Sequence, residues 1–310
     1  MKAIGTYVNG NTIVAIYEDG TKVRYIKEGE EPNPESPESM DVKITNRCNA
    51  GCIMCAESST KDGDHANLDD PLFDTIRPYT ELAIGGGDPF EHPDLLLFLR
   101  RMKAKRVICN ITVNQKHFLK YYEELDDFGT LGLIHGVGVS IPDYVEDGVL
   151  EKLKNFKNPN VVVHTIAGYT PIETYIKLAG NNINLLVLGY KYKGRGQKYG
   201  ETFDHLHGIL TRSNALADYL FLMHNADRFK AVAFDNLAVS QLFVRDRVGK
   251  DEYEKLYMGD DGDFTMYLDM VKHQYAKSST HEPREIDAES VDELFAKLKK
   301  EDPNAVQEPV

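Results

Sequence analysis

From Met40 onward, short apolar and β-branched runs alternate with amphipathic stretches, and this alternation constrains the fold more than any other feature of the chain. The runs are MDVKIT (40–45), ELAIGG (81–86), RVICNITV (106–113), HGVGVSI (135–141), NVVVHTIA (160–167) and INLLVLGY (183–190). Between them lie DDPLFDTIRPY, HPDLLLFLRRMKAK, KHFLKYYEELDDF, YVEDGVLEKLKNF and PIETYIKLA, with helical spacing of their apolar residues. Strands separated by helices predict parallel βα units whose helices cover the strand faces. Two architectures satisfy this pattern: a doubly wound sheet, or a full or partial (β/α) barrel. In both, ligands gather at the carboxyl ends of the strands.

The flanks obey a different rhythm. Residues 1–30 hold three short strand patterns joined at NGN and DGT, whose Asn-Gly and Asp-Gly pairs supply the positive φ of tight hairpins, so a β meander is expected there. EGEEPNPESPES, rich in Pro, Glu and Ser, reads as a linker over 31–39. After residue 196 the alternation loosens into a long helical region, KAVAFDNLAV, a further helical stretch and a partly extended MGDDGDFTMYLDMVKHQYAKSST. SVDELFAKLKK reads as a terminal helix, and 301–310 as a flexible tail.

At 310 residues and 42% hydrophobic, the chain is long enough for a full core. A net charge of −13 argues against a broad nucleic-acid surface, because phosphate neutralisation needs clustered Lys and Arg. No apolar run is long enough to span a bilayer, and the first residues lack the layout of an export signal, so a cytoplasmic location is expected. Four cysteines are too few and too clustered for a disulfide framework.

Three of those four, Cys48, Cys52 and Cys55, fall within CNAGCIMC, in a C-x3-C-x2-C spacing just after the first strand of the alternating region. Thiols so placed can surround one metal centre. Structural zinc normally takes a fourth ligand and pairs two knuckles, and the chain has no second knuckle; His65 is the candidate for a fourth position. A [4Fe–4S] cube normally takes four thiolates, so three leave one iron open to a small chelating ligand.

The segment KITNRCNAGCIMC resembles the signature of the radical S-adenosylmethionine (radical SAM) superfamily, and the resemblance covers roughly residues 40–196. It implies a partial (β/α)6 TIM-like barrel in which Cys48, Cys52 and Cys55 each hold one iron of a [4Fe–4S] cluster. The methionyl end of S-adenosylmethionine would chelate the fourth iron. One electron would then cleave the sulfonium to methionine and a 5′-deoxyadenosyl radical, which takes a hydrogen atom from the substrate. IGGGDPF (84–90) is similar to the family's Gly-Gly-Glu-Pro motif, implying that Gly86, Gly87 and Asp88 hold the methionyl amine, with Asp one methylene shorter than Glu. Met54 stands where an aromatic residue is common, and a thioether there can pack beside adenine. Asn114 in ITVNQ, Ser140 in VGVSIPD and Ile166 in IAG are carried over to the cofactor from the ends of the third, fourth and fifth strands. A low-potential electron donor, flavodoxin or ferredoxin, is implied as well.

Together with the reading of the flanks, the resemblance over 40–196 divides the chain into a meander (1–30), linker (31–39), barrel core (40–196), C-terminal α+β extension closing the barrel (197–300) and tail (301–310). Four further residues are candidates for meeting substrate: Glu57 and His65 in AESSTKDGDH after the last cysteine, and Lys191 and Arg195 in YKYKGRG, where cations could receive a carboxylate or phosphate. Cys109, inside RVICNITV, reads as a buried structural thiol. No cysteine follows it, so no second cluster is expected. The substrate is a peptide or protein, or else a small molecule or nucleotide. The reading from another class is a non-catalytic iron–sulfur or zinc binding protein, which would bind metal without cleaving the cofactor.

Overall fold

The computed structural model describes residues 2–202 and 206–300; the expected tail at 301–310 lies outside the described residues. β1 (Ala3–Asn9), β2 (Thr12–Tyr17) and β3 (Lys22–Tyr25) form a separate antiparallel sheet, turning at Gly10 and Gly20, both at positive φ. The alternating region follows: β4 (Ser39–Thr45), β5 (Glu81–Gly86), α1 (Leu95–Ala104), β6 (Ile108–Asn114), α2 (Gln115–Lys120), α3 (Tyr122–Thr130), β7 (Gly136–Ser140), α4 (Val149–Asn155), β8 (Val161–Ile166), α5 (Ile172–Leu178) and β9 (Asn184–Leu188). The expected helix DDPLFDTIRPY is only a 3-10 turn over Pro71–Thr75: Asp70 caps it at its start and Pro78 bars its continuation. The C-terminal part adds α6 (Arg195–Thr202), α7 (Leu206–His224), β10 (Ala231–Phe234), α8 (Asn236–Gln241), α9 (Val244–Val248), α10 (Lys250–Leu256), β11 (Thr265–Asp269), β12 (Gln274–Ala276), β13 (Arg284–Glu285) and α11 (Val291–Lys299).

The large sheet runs β10-β9-β8-β7-β6-β5-β4-β11-β12-β13, and every pairing from β10 through β11 is parallel. From β4 to β10 the spatial order is the sequence order. Right-handed crossovers in one direction put all the helices on one face, whereas a doubly wound sheet reverses its order midway. The sheet is open: β10 ends one side, and β11 continues the other beside β4 instead of meeting β10.

The two faces differ in chemistry, and strand alternation explains why. Met40, Val42 and Ile44 of β4, Leu82 and Ile84 of β5, Ile111 and Val113 of β6, and Val137 and Val139 of β7 pack into one continuous core, each at most 2% exposed. The intervening residues, including Asp41, Ala83, Asn110, Thr112, Asn114, Ser140 and His164, keep open surface. Helices cover the apolar face; the second face is polar and lined with small residues.

The meander docks at the amino ends of the strands. Val14 and Ile16 pack on Ile108, and Tyr7 stacks on Tyr79. Arg24 grips the buried Glu38 carboxylate with Nε and Nη2 at 2.8–3.1 Å, and Lys22 pairs with Glu81 at 2.5 Å. Glu38, Glu81 and Ile108 all stand where β4, β5 and β6 begin, so the meander lies at the opposite end of the sheet from the cysteine loop.

Candidate functional site

The loop after β4 carries Cys48, Cys52 and Cys55 as free, partly buried thiols. Backbone bonds fold it back on itself: the Cys48 N–H donates to Thr60 O at 2.7 Å and the Thr60 N–H to Asn46 O at 3.1 Å. Burial raises the Cys48 thiol above its ordinary range, and the neighbouring thiols Cys52 and Cys55 add to the effect. Burial raises Cys52 too, Cys55 adds to it, and Arg195 opposes both. The three sulfurs therefore share one electrostatic neighbourhood. Among the described residues, no group of three or more His, Cys, Asp or Glu side chains is placed so as to hold a metal ion.

The Gly-Gly-Asp turn at the end of β5 is stitched to this loop. Thr45 O accepts the Gly87 N–H and Arg47 O accepts the Asp88 N–H, both at 2.8 Å. A Cβ on Gly86, which sits at φ 107°, would meet Thr45 O at 2.4 Å; one on Gly87 would meet Arg47 O at 2.2 Å. These glycines let two backbones approach where any side chain would separate them.

Asp88 is fully buried and turned inward. One carboxylate oxygen accepts the Phe90 N–H at 3.2 Å, and the other lies 3.4 Å from His117 Nε2. Burial pushes the carboxyl up to about 6 and the His117 imidazole down to about 4, so at neutral pH a neutral ring stands beside the carboxylate. His117 Nε2 also reaches Asn49 Oδ1 at 2.9 Å, inside the cysteine loop. The loop is therefore held by His117 through Asn49, while the Asp88 oxygen facing the ring is buried without a hydrogen-bond partner.

The remaining expected residues take distinct places. Asn114 ends β6, caps α2 through Lys116 N–H at 3.0 Å and directs Nδ2 toward Cys52 Sγ at 3.8 Å. Ser140 is its register partner on β7, and His164 is the partner of Ser140 on β8. The Ile166 N–H donates to Thr170 Oγ1 and its carbonyl accepts the Thr170 N–H, so that backbone serves a local turn. Met54 is partly buried, with its carbonyl toward Gly196. His65 stands apart from the thiols: Nδ1 contacts Thr45 Oγ1 at 2.9 Å and the ring meets His92 edge-on. Glu57 pairs with Lys43 at 2.6 Å, and Lys191 Nζ donates to Ser279 Oγ at 2.6 Å. Arg195 points at the cysteine loop, donating Nε to Cys52 O at 2.9 Å and Nη1 to Ser59 O at 2.7 Å.

Several residues with a part in the site escaped the sequence reading. Lys43, 3% exposed, sits between Glu57 and Asp269 at 2.6 and 3.1 Å; burial, which lowers its pKa, is outweighed by the two carboxylates, which raise it. Asp41 and His164 lie on the polar face. Burial raises the Asp41 carboxyl and pushes the His164 imidazole down to about 4, although both keep open surface. Gly138 makes room there, since a Cβ would come within 2.5 Å of His164 Cε1 and 2.9 Å of Thr112 Oγ1. The available signal was a charged residue at alternate positions of an otherwise apolar strand, as in MDVKIT.

A cavity of about 280 Å³ adjoins the loop, lined among others by Lys43, Glu57, Ser58, Lys193, Tyr267 and Asp269. A larger one of about 530 Å³ lies between β13 and α11, away from the thiols, among charged side chains such as Arg284 and Asp287. No described helix is long and apolar enough to cross a membrane.

No protein-family profile matches the chain, and no curated protein matches it. Solved structures do. SuiB of Streptococcus suis bound to S-adenosylmethionine superposes with a TM-score of 0.53 at 11% identity over 87% of this chain and 67% of that one. A second SuiB structure gives 0.51 at 10% identity over 88% and 81%. SuiB bound to precursor peptide SuiA gives 0.50 at 13% identity over 79% of this chain, which spans only 60% of that one. Over most of its length the protein is therefore similar in fold to SuiB, which is solved with S-adenosylmethionine in one structure and with a precursor peptide in another.

Proposed function

We propose that this chain is a radical SAM enzyme: a partial (β/α)6 barrel whose cysteine loop holds a [4Fe–4S] cluster and whose strand ends hold S-adenosylmethionine. The observation that carries the reading is convergence. Three separate sequence motifs, on the loop after β4, the end of β5 and the end of β6, are tied together by Thr45, Arg47 and Asn114 at the carboxyl ends of parallel strands. Three thiols in one neighbourhood, with no second cysteine pair to complete a zinc knuckle, suit a cube with one iron left open. The likeness to an S-adenosylmethionine-bound fold supports the same cofactor.

In this reading Cys48, Cys52 and Cys55 hold the iron. One Asp88 oxygen caps Phe90 while the other is buried without a hydrogen-bond partner, and backbone carbonyls of the β5 end would meet the methionyl ammonium. Asn114 and Ser140, register partners, face the ribose side, with Met54 and Ile166 toward adenine. When bound, the reduced cluster would supply one electron, and S-adenosylmethionine the 5′-deoxyadenosyl group, for removal of a hydrogen atom from substrate. The chain's residues aim that radical and exclude water. Substrate enters against the polar face, where Asp41, Thr112 and His164 offer acceptors and donors; a peptide is the class favoured by the likeness to SuiB. A low-potential flavodoxin or ferredoxin in the cytoplasm would supply the electron.

The test is anaerobic reconstitution with iron and sulfide, reduction with dithionite, addition of S-adenosylmethionine, and chromatography for 5′-deoxyadenosine. The expected result is its formation, lost in Cys48→Ala, Cys52→Ala and Cys55→Ala. A loaded cluster whose spectrum ignores the cofactor, with no product formed, would sink the assignment and favour the non-catalytic metal protein.

A further inference from the structure

Arg195 lies 140 residues beyond Cys55 in sequence, yet it makes three hydrogen bonds to the cysteine loop. Its own N–H donates to Cys55 O at 3.0 Å, Nε to Cys52 O at 2.9 Å and Nη1 to Ser59 O at 2.7 Å. The carbonyls of two thiol-bearing residues are thus held by one side chain and its backbone. The flanking glycines close the fit. Gly194, at φ +59°, lies so near the loop that a Cβ would sit 2.3 Å from Ala56 O; one on Gly196 would sit 3.1 Å from Met54 O.

The segment that carries Arg195 is anchored independently of the loop. Tyr190 donates its hydroxyl to Gly196 O at 2.9 Å, and its backbone N–H donates to Gln241 Oε1 at 2.8 Å. Lys191 Nζ and Lys193 Nζ donate to Ser279 Oγ and Ser279 O at 2.6 and 3.2 Å. A guanidinium fixed at both ends of its segment cannot follow the loop if the loop moves; it makes the loop conform to it.

We propose, resting on the cluster reading above, that Arg195 is the positioning residue of the cysteine loop: it clamps Cys52 and Cys55 in ligating geometry and sets a fixed cation beside the cluster thiolates. Of the cations of YKYKGRG, Arg195 is thus committed to the cysteine loop, while Lys191 and Lys193 are held by Ser279. Two consequences are separable. The clamp is geometric and needs the planar fork of Arg, whereas the field needs only a positive charge. Net charge near an iron–sulfur cluster sets its reduction potential, because the reduced form carries one more negative charge.

The experiment compares the full chain with Arg195→Gln and Arg195→Lys, each checked by circular dichroism. In the metal-free protein, the initial rate of thiol reaction with Ellman's reagent should rise at least threefold in both variants, since neither keeps the fork. After anaerobic reconstitution and gel filtration, R195Q should retain less than half the wild-type iron per chain. Its cluster potential, by redox titration followed by electron paramagnetic resonance, should move to a more negative value, while R195K stays near wild type. Equal thiol reactivity, iron content and potential in all three proteins would overturn the proposal. Wild-type protein that takes up no cluster, yet shows the threefold thiol difference, would leave the clamp standing on the loop and remove the cluster reading instead.

Discussion

At the scale of single residues, burial decides what each ionisable group can do. Asp218 is 2% exposed, and its Oδ2 accepts the Gly168 N–H at 2.8 Å, holding the turn after β8. Burial pushes its carboxyl up to about 7, well above the unfolded value near 3.9. The native state therefore keeps a proton that the unfolded chain has released, and stability is lost as pH rises from about 4 through 7. Asp218→Asn retains an acceptor for Gly168 and never ionises. Part of its gain is offset by an unpaired amide N–H. The variant should be more stable than wild type by about 2 kcal/mol at pH 8 and about equal to it at pH 4, as read from urea unfolding at the two pH values. A wild-type excess at pH 8 would show that the carboxylate form is the stabilising one.

At the scale of elements, Lys43 joins three of them: β4, which carries it, the segment after the cysteines through Glu57, and β11 through Asp269. Removing a buried cation leaves its carboxylates without compensation, a change that typically costs 3–5 kcal/mol. Lys43→Met should therefore destabilise the protein by about 3 kcal/mol, measured by denaturant midpoint. Glu57→Gln should cost less, because Glu57 is partly exposed and Asp269 still pairs with the lysine. The sequence offered this contact only in part. MDVKIT announces a strand, and a lysine amid its apolar residues announces a lined face. The partner Asp269, 226 residues away, became identifiable only once β11 paired with β4.

At the scale of the whole molecule, the two ends of the parallel sheet carry separate tasks. The carboxyl ends hold the cysteine loop, the Gly-Gly-Asp turn and Asn114. The amino ends hold the meander through Arg24–Glu38, Lys22–Glu81 and the packing of Val14 and Ile16 on Ile108. Glu38 has a side chain only 1% exposed and takes a bidentate contact from Arg24, whose guanidinium also lies 3.8 Å over the Phe264 ring. Glu38→Gln should lower global stability by roughly 3 kcal/mol while leaving iron uptake at the cysteine loop at the wild-type level, measured per chain after reconstitution. Loss of iron in this variant would mean that the two ends are coupled through the sheet.

The sequence by itself determined the six parallel strands and four of the five helical crossovers between them, the meander with its two glycine turns, and the cysteine spacing, because each is written in residues near one another: periodicity, turn chemistry and ligand interval are local properties. It also placed Gly86, Gly87, Asp88 and Asn114 at strand ends, since a strand's end can be read from its own run. Only the tertiary structure decided that the sheet stays open with β10 and β11 added at its flanks, that Asp88 turns inward to His117, and that Arg195 grips the cysteine loop. Each of these depends on which distant segments become neighbours. That is settled by burial and by the pairing of polar groups that burial strips of water, and neither has a period along the chain.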